Sequence, residues 1–465
     1  MKIDYKRCLL LMLSIGVSLF LWGCSRSDSD SSMDTHGKEI NEIIAGISTD
    51  SIKVSVQTLA GFHTRHTASD TVSDTVGIGA ARRWIYKKFR QYRLASDNRL
   101  KVYYDRYIEQ KHRRLEEPTE IVNVIAMLPG TQLESKERLY VVSGHYDSRV
   151  SDVMNDSSYA PGANDDASGT AAVLELARVL SQHRFDATII FMAVAGEEQG
   201  LLGARHYAQN AADKNLNIAA MFTNDIIGNT INSVDGSVHD QEVRVFAQGI
   251  PPADTLSRYQ QIMLATGGEN DTPSRQLGRF IHRMAREHLP GFKVNLIYRK
   301  DRYLRGGDHS AFLDEGYPAV RFSEVHEYYS RQHQDVKKVD GIQCGDLPQF
   351  VDYAYIARVA RLNAASLITL ANAPARPENV GVDISKLENN TTLLWEANDE
   401  PDLKGYEIVW RRTNQPFWEY AAFAGDTTRY TVEGVSKDNY LFGLRSVDQY
   451  GYKSPAVYPL PVRAE

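Results

Sequence analysis

Three short runs concentrate the side chains of this chain that can hold a metal ion or move a proton. They read Gly144-His145-Tyr146-Asp147-Ser148, Pro161-Gly162-Ala163-Asn164-Asp165-Asp166-Ala167-Ser168-Gly169 and Ala195-Gly196-Glu197-Glu198-Gln199-Gly200. An imidazole and several carboxylates brought together can bind a divalent metal and activate water for hydrolysis. In an extended segment His145 and Asp147 share one face. Asp147 can then accept the second ring N–H of a metal-bound His145 and fix its tautomer. Neighbouring acids such as Glu197 and Glu198 point in different directions, so one can ligate while the other serves as base. Each run also has a plainer reading. H-x-D pairs are common on surfaces, Asp166 or Ser168 suits a helix N-cap, and paired acids suit a first helical turn. Asn224-Asp225, after Met221-Phe222-Thr223, offers a further acid that could equally be a turn residue.

The elements around these runs decide where they sit. Strand-like stretches cover Lys101–Ile108, Ile121–Leu128, Leu139–Ser143, Ala187–Val194, Ala219–Thr223, Glu242–Ala247, Lys293–Tyr298 and Ala319–Phe322. Helical spacing covers much of Gly37–Ala95, then Ser168–Leu180, Leu202–Gln209, Ser274–His288 and Gln349–Ala371. This alternation predicts an α/β fold with a mixed, mostly parallel sheet flanked by helices. Sites in such sheets form beyond the carboxyl ends of the strands. His145, Glu197 and Asp225 each follow a strand-like run.

With 465 residues the chain has room for two or three domains. A net charge of -6 argues against a nucleic-acid partner. The segment 1–23 reads as a lipoprotein signal peptide: Lys2, Lys6 and Arg7 precede the apolar run Leu9–Trp22, and Gly23-Cys24 resembles a bacterial lipobox. Cys24 would then carry a lipid anchor to the membrane, and 24–36 would be a flexible, serine-rich tether. The expected location is a bacterial cell envelope. Apart from the leader only Cys24 and Cys344 remain, which leaves no cysteine set for a structural zinc.

After Ala373-Pro374-Ala375-Arg376-Pro377 the pattern changes to short alternating strands, predicting a C-terminal all-β sandwich over 376–465. Its run from Pro377 through Trp395, Tyr406 and Tyr440 to Pro455 resembles a fibronectin type III module. Trp395 and Tyr440 read as core residues. Trp410, Phe417 and Trp418 are candidates for a glycan or protein contact, with cross-strand packing the simpler role.

Taken in order, the acidic and histidine runs resemble the co-catalytic di-zinc aminopeptidases, family twenty-eight of the metallopeptidases. The resemblance spans roughly Leu59 to Ala371 and makes 37–372 a zinc peptidase domain. It implies two Zn2+ ions per chain: His145 and Asp225 on one, Glu198 and a late histidine on the other, and Asp165 bridging both. It implies Glu197 as general base, Asp147 as the residue orienting His145, and a cis peptide between Asp165 and Asp166. For the late histidine, Glu324–Asp335 offers His326 and His333. His333 fits better, with Tyr328-Tyr329 before it and Asp335 after it. His309 lies in a motif near the family's pocket and is not counted as a ligand. The implied activity is release of N-terminal residues from peptides with a free amine by a two-zinc activated water. A carboxypeptidase or a single-zinc glutaminyl cyclase of the same fold, or a non-catalytic surface-binding protein, are the alternatives.

Overall fold

The computed structural model describes residues 29–252 and 256–463. The segment 1–23, read above as a signal peptide, and Cys24 lie outside the described residues. Residues 29–36, read above as part of the tether, open the first helix.

The chain begins with α1 (Ser29–Ala45), α2 (Thr49–Ala60) and α3 (Gly77–Ala95), followed by β1 (Lys101–Glu109), β2 (Thr119–Leu128) and β3 (Arg138–His145). Then come α4 (Ala167–Leu180), β4 (Thr188–Val194), α5 (Leu202–Asp213), β5 (Asn217–Asn224), β6 (Glu242–Ala247), α6 (Arg258–Ala265), α7 (Pro273–His288), β7 (Lys293–Ile297), α8 (His309–Asp314) and β8 (Ala319–Ser323). A small hairpin, β9 (Lys338–Val339) and β10 (Ile342–Gln343), precedes the long α9 (Tyr353–Asn372). The helical reading of Gly37–Ala95 spans a break: α2 ends at Gly61, and Gly77 with φ 84° opens α3. The intervening loop supplies a buried arginine to the site described below.

Eight strands form one mixed sheet in the order β1-β2-β4-β3-β5-β8-β6-β7. The four central strands β4, β3, β5 and β8 are parallel neighbours. Antiparallel pairings attach β2 on one side and β6 on the other. Both faces are covered, so central strands are apolar throughout rather than alternating; every residue of β3 and β4 is buried. Successive residues serve opposite layers. Val142, Phe191 and Phe222 join the core under α4, α7 and α9, while Val141, Ile190 and Met221 join that under α5 and α8. The start of α4 lies against the strand ends. A Cβ on Gly144 would stand 2.5 Å from the Gly169 backbone, and one on Gly169 would stand 2.1 Å from the Asn224 carbonyl oxygen. Glycine at both positions is what lets the helix come this close.

Beyond Asn372 the chain is all β: β11 (Gly381–Asp383), β12 (Thr391–Leu394), β13 (Leu403–Arg412), β14 (Tyr420–Gly425), β15 (Arg429–Val432), β16 (Tyr440–Asp448) and β17 (Leu460–Val462). They form two sheets, β15-β12-β11-β17 and β14-β13-β16, around Trp395, Tyr406, Phe442 and Leu444. Buried ion pairs join this part to the α/β part. Asp271 lies 2.6 Å from Arg411 of β13 and 3.2 Å from Arg279 of α7, and Arg138 lies 2.9 Å from Glu400. Trp410 packs across strands on Tyr420. Phe417 stacks on His282 of α7, and Trp418 lies under the guanidinium groups of Arg279 and Arg411. Two of the three aromatic residues offered as a contact patch thus fill the joint between the parts.

Candidate metal centre

The four central strands run the same way, so their carboxyl ends open on one rim. His145 is the last residue of β3, Glu197 and Glu198 form the turn after β4, and Asp225 directly follows β5. His333 lies in the loop after β8, and Asp165 in the turn that leads into α4. The peptide between Asp165 and Asp166 is cis. Donor atoms of His145, Asp165 and Asp225 converge within 4.8 Å of one another, as do those of Asp165, Glu198 and His333. Asp165 belongs to both groups. Its Oδ1 lies 3.2 Å from His145 Nε2 and its Oδ2 lies 2.8 Å from His333 Nε2. His333 Nε2 is also 3.0 Å from Glu198 Oε1, and His145 Nε2 is 3.9 Å from Asp225 Oδ1.

Buried partners hold this rim in place. Asp147 Oδ1 stands 3.4 Å from His145 Nδ1, while its two oxygens accept the backbone N–H groups of Glu197 and Glu198 at 3.3 and 3.0 Å. One carboxylate thus ties the β3 end to the β4 turn. Asp166 caps α4 by accepting from Gly169 N at 2.9 Å, and also accepts the backbone N–H groups of His145 and Ile226 at 3.0 and 3.2 Å. The helix cap and the support for the ligand turns are one side chain. The fully buried Arg321 lies 3.0 Å from Asp225 Oδ1 and donates to the Asp225 carbonyl at 3.2 Å. Arg65, also fully buried, donates to the carbonyl oxygens of Tyr146, Pro161 and Gly162. It joins the first run to the second, and burial lowers its guanidinium to about 10 against the nearby acids. Asp346 accepts the backbone N–H groups of Asn164 and Asp165, and Gln332 donates to Asp165 Oδ2 at 3.1 Å.

The donor set fits a metal on its own chemistry. His145 Nε2 and Glu198 Oε1 are buried and lack a hydrogen-bond partner, although each faces the shared carboxylate cluster. Unpaired buried polar atoms are costly, and a cation between them removes the cost. At His333 burial alone would lower the imidazole, but the carboxylates of Glu198 and Asp165 outweigh burial and push it up to about 10. The acids are arranged to attract positive charge at that point. Burial, reinforced by Asp225, Glu198 and Asp308 and opposed by His145, raises the Glu197 carboxyl well above the ordinary range. Glu197 lines a cleft of about 800 Å³ together with Asp165, Glu198, Asp225 and His333.

The other candidate histidines lie elsewhere. His326 packs edge-on against His239, and its carbonyl accepts from Asn229. His309 is buried with Nε2 2.7 Å from the Lys300 carbonyl oxygen. Sequence reasoning missed Arg65, Arg321, Gln332 and Asp346, because nothing local marks an arginine, amide or acid as buried beside a partner far along the chain.

The profile of peptidase family M28 matches residues 123–355, which spans the donor rim. A probable zinc metalloprotease of Pyricularia oryzae is 47% identical over 415 residues, covering 88% of this chain and 82% of that protein. One from Pyrenophora teres f. teres is 44% identical over 425 residues, covering 91% and 87%. The chain belongs to peptidase family M28. As an M28 protein it is a zinc metalloprotease, and its substrates are peptides. A solved structure of the LapA aminopeptidase of Legionella pneumophila is similar to it in fold, with a TM-score of 0.50 at 20% identity, covering 72% of this chain and 75% of that one. The M28 relatives also correct one expectation. They are fungal, which places the chain with eukaryotic proteins rather than in a bacterial cell envelope. The lipobox reading of Cys24 was a bacterial pattern and loses its setting.

Proposed function

We propose that this M28 protein is a two-zinc aminopeptidase that releases N-terminal residues from peptides. The observation that carries the reading is Asp165, whose two oxygens face two different histidines at 3.2 and 2.8 Å. That is the arrangement of a carboxylate shared between two metal ions. His145 and Asp225 would hold the first zinc, Glu198 and His333 the second. When bound, the zinc ions supply Lewis acidity to the attacking water and to the scissile carbonyl.

The chain's own residues do the rest. Glu197 takes a proton from the attacking water and returns it to the leaving amine. Its raised carboxyl suits both halves of that transfer. Asp147 fixes the orientation of His145 and, through the backbone of Glu197 and Glu198, the place of the base. Asp166 and Arg321 keep the turns from relaxing under the charge they carry. Asp165 and Asp225 line the cleft while almost wholly buried, His145 is buried beside them, and Glu197 and His333 are more open to it. The segment 376–465 is read as a fibronectin type III-like domain docked on 37–372, and the leader as a signal for export.

The test is hydrolysis of aminoacyl-arylamides by the zinc-loaded protein, with and without a chelator. Cleavage that the chelator abolishes and zinc restores is expected; absence of cleavage of every free-amine peptide would sink the reading. Glu197→Gln should keep its zinc and lose about 10²–10⁴ in turnover. A single zinc per chain with cyclisation of N-terminal glutamine would favour a cyclase instead.

A further inference from the structure

Besides its acids, the cleft is lined by arginine. Arg114, Arg149, Arg205, Arg302 and Arg305 all line it. Two of them are already neutralised: Arg302 pairs with Asp301 and Glu327, and Arg305 with Glu327. Of the other three, Arg149 has only the metal-ligand candidate Glu198 as an acidic partner among the described residues. Among the described residues no acidic side chain lies within ion-pairing distance of Arg114 or Arg205. Arg114 donates to the Glu198 carbonyl at 2.8 Å, which sets its guanidinium over the ligand turn. Arg205 is exposed on the first turn of α5.

Arg149 lies closest to the donors. Its Nη2 is 2.8 Å from His333 Nδ1, and its Nε is 3.1 Å from Glu198 Oε2 but out of line for a hydrogen bond. A histidine that binds a metal through Nε2 carries its proton on Nδ1. Two N–H groups would then face each other at 2.8 Å, so this contact and metal ligation exclude one another. With metal held, Arg149 would lose this contact, and its guanidinium would be left to the cleft it already lines. The charge of Asp165, Glu198 and Asp225 would then be balanced by metal rather than by the arginines. Three guanidiniums are left, each a fork suited to a carboxylate. Leu201, Leu304 and Tyr329 supply apolar surface beside them.

We infer that Arg114, Arg149 and Arg205 form a carboxylate-recognition wall, so that the preferred substrates are peptides with a carboxylate close to the scissile bond. This rests on the aminopeptidase reading for the position of the free amine. The carboxylate has three sources: the side chain of the N-terminal residue, that of the next residue, or the terminus of a dipeptide.

The test compares kcat/KM of the zinc-loaded enzyme within matched pairs. Glu-Ala-amide against Gln-Ala-amide probes the first source, Ala-Glu-amide against Ala-Gln-amide the second, and Ala-Ala against Ala-Ala-amide the third. At least one pair should favour the carboxylate by roughly 10- to 100-fold, the worth of a charge-assisted hydrogen bond, and that pair names the source. Arg205→Glu and Arg114→Glu should bring the ratio toward one and raise the rate on the matching lysine peptide, a gain that mere structural damage does not produce. Arg205→Gln serves where a charge reversal fails to fold. Ratios within about threefold in all three pairs, or ratios untouched by both arginine variants, overturn the inference. If no peptide is cleaved, calorimetry of the same pairs on zinc-loaded Glu197→Gln decides. Tighter binding of the carboxylate member keeps the inference and removes the aminopeptidase reading; equal binding removes both.

Discussion

The His145 side and the His333 side of the centre share Asp165 but are built differently. His145 ends a buried strand, is 1% exposed, and has its ring and its backbone N–H held by separate carboxylates. Its fellow donor Asp225 is pinned by the fully buried Arg321. His333 sits in a loop, in the left-handed region at φ 52°, with its side chain 25% exposed. Its outer ring nitrogen faces Arg149 rather than a fixed acceptor. One half of the centre is preorganised by strand ends and buried ion pairs, and the other closes from a loop. Preorganised donors bind with less ordering cost. If each half holds a zinc ion, as proposed, the His145 side binds it more tightly than the His333 side, even with equal ligand counts.

Removing the shared residue is the widest break. Asp165→Ala takes a donor from both halves, so zinc content should fall well below that of the parent protein and hydrolysis should drop to the chelator-treated level. Elemental analysis of the dialysed variant checks it; retention of two tightly held zinc ions would refute a shared carboxylate. The next effect separates the halves. Titration of the parent protein with a graded chelator should release metal in two steps. His333→Ala should abolish the weaker step alone, while His145→Ala should weaken the tighter one by more than the 10- to 100-fold typical of losing only an outer partner. A single step, or the reverse assignment, would show that loop and strand hold metal equally. Asp147→Asn should fall in that outer-partner range of about 10- to 100-fold on the His145 side, with a smaller loosening of the other step through the Glu198 backbone N–H it holds.

The same contrast explains what could be read from the sequence. His145, Glu197, Glu198 and Asp225 stood out because each lies just beyond an apolar strand-like run, and Asp165 because it sits among small residues ahead of a helical run. The structure brings all five together with His333, whose choice over His326 rested on flanking residues in an irregular loop. What lay hidden was the scaffold. Arg65 and Arg321 read like any surface arginine, yet both are fully buried. Asp346 supports Asp165 from 181 residues away, a separation no local pattern signals. The fold was legible for a similar reason: continuous apolar runs mark strands covered on both faces, whereas α6, α8 and β14 are short or partly exposed and carry little periodicity. The envelope placement failed because a leader and one cysteine are local features that say nothing of the lineage of the rest.

The smallest expected effect concerns the buttress behind the His145 side. Glu327 lies among Arg244, Arg302 and Arg305, and Arg302 reaches within 4.0 Å of Asp225. Burial alone would raise the Glu327 carboxyl; Arg302, Arg305, Arg321 and Arg244 outweigh it and bring it down to about 2 from an ordinary 4.5. A folded value below the unfolded one stabilises the fold fully above pH 4.5, and that contribution is lost as pH falls toward 2. Its ceiling is about 3 kcal/mol. Glu327→Gln should therefore lower stability near neutral pH and flatten the dependence of the unfolding midpoint on pH between those limits, as followed by chemical denaturation. Because Arg302 links Glu327 to Asp225 but not to His333, the variant should also loosen the tighter zinc step slightly and leave the weaker one in place. Loosening of the weaker step instead would mean that the two halves are mechanically one.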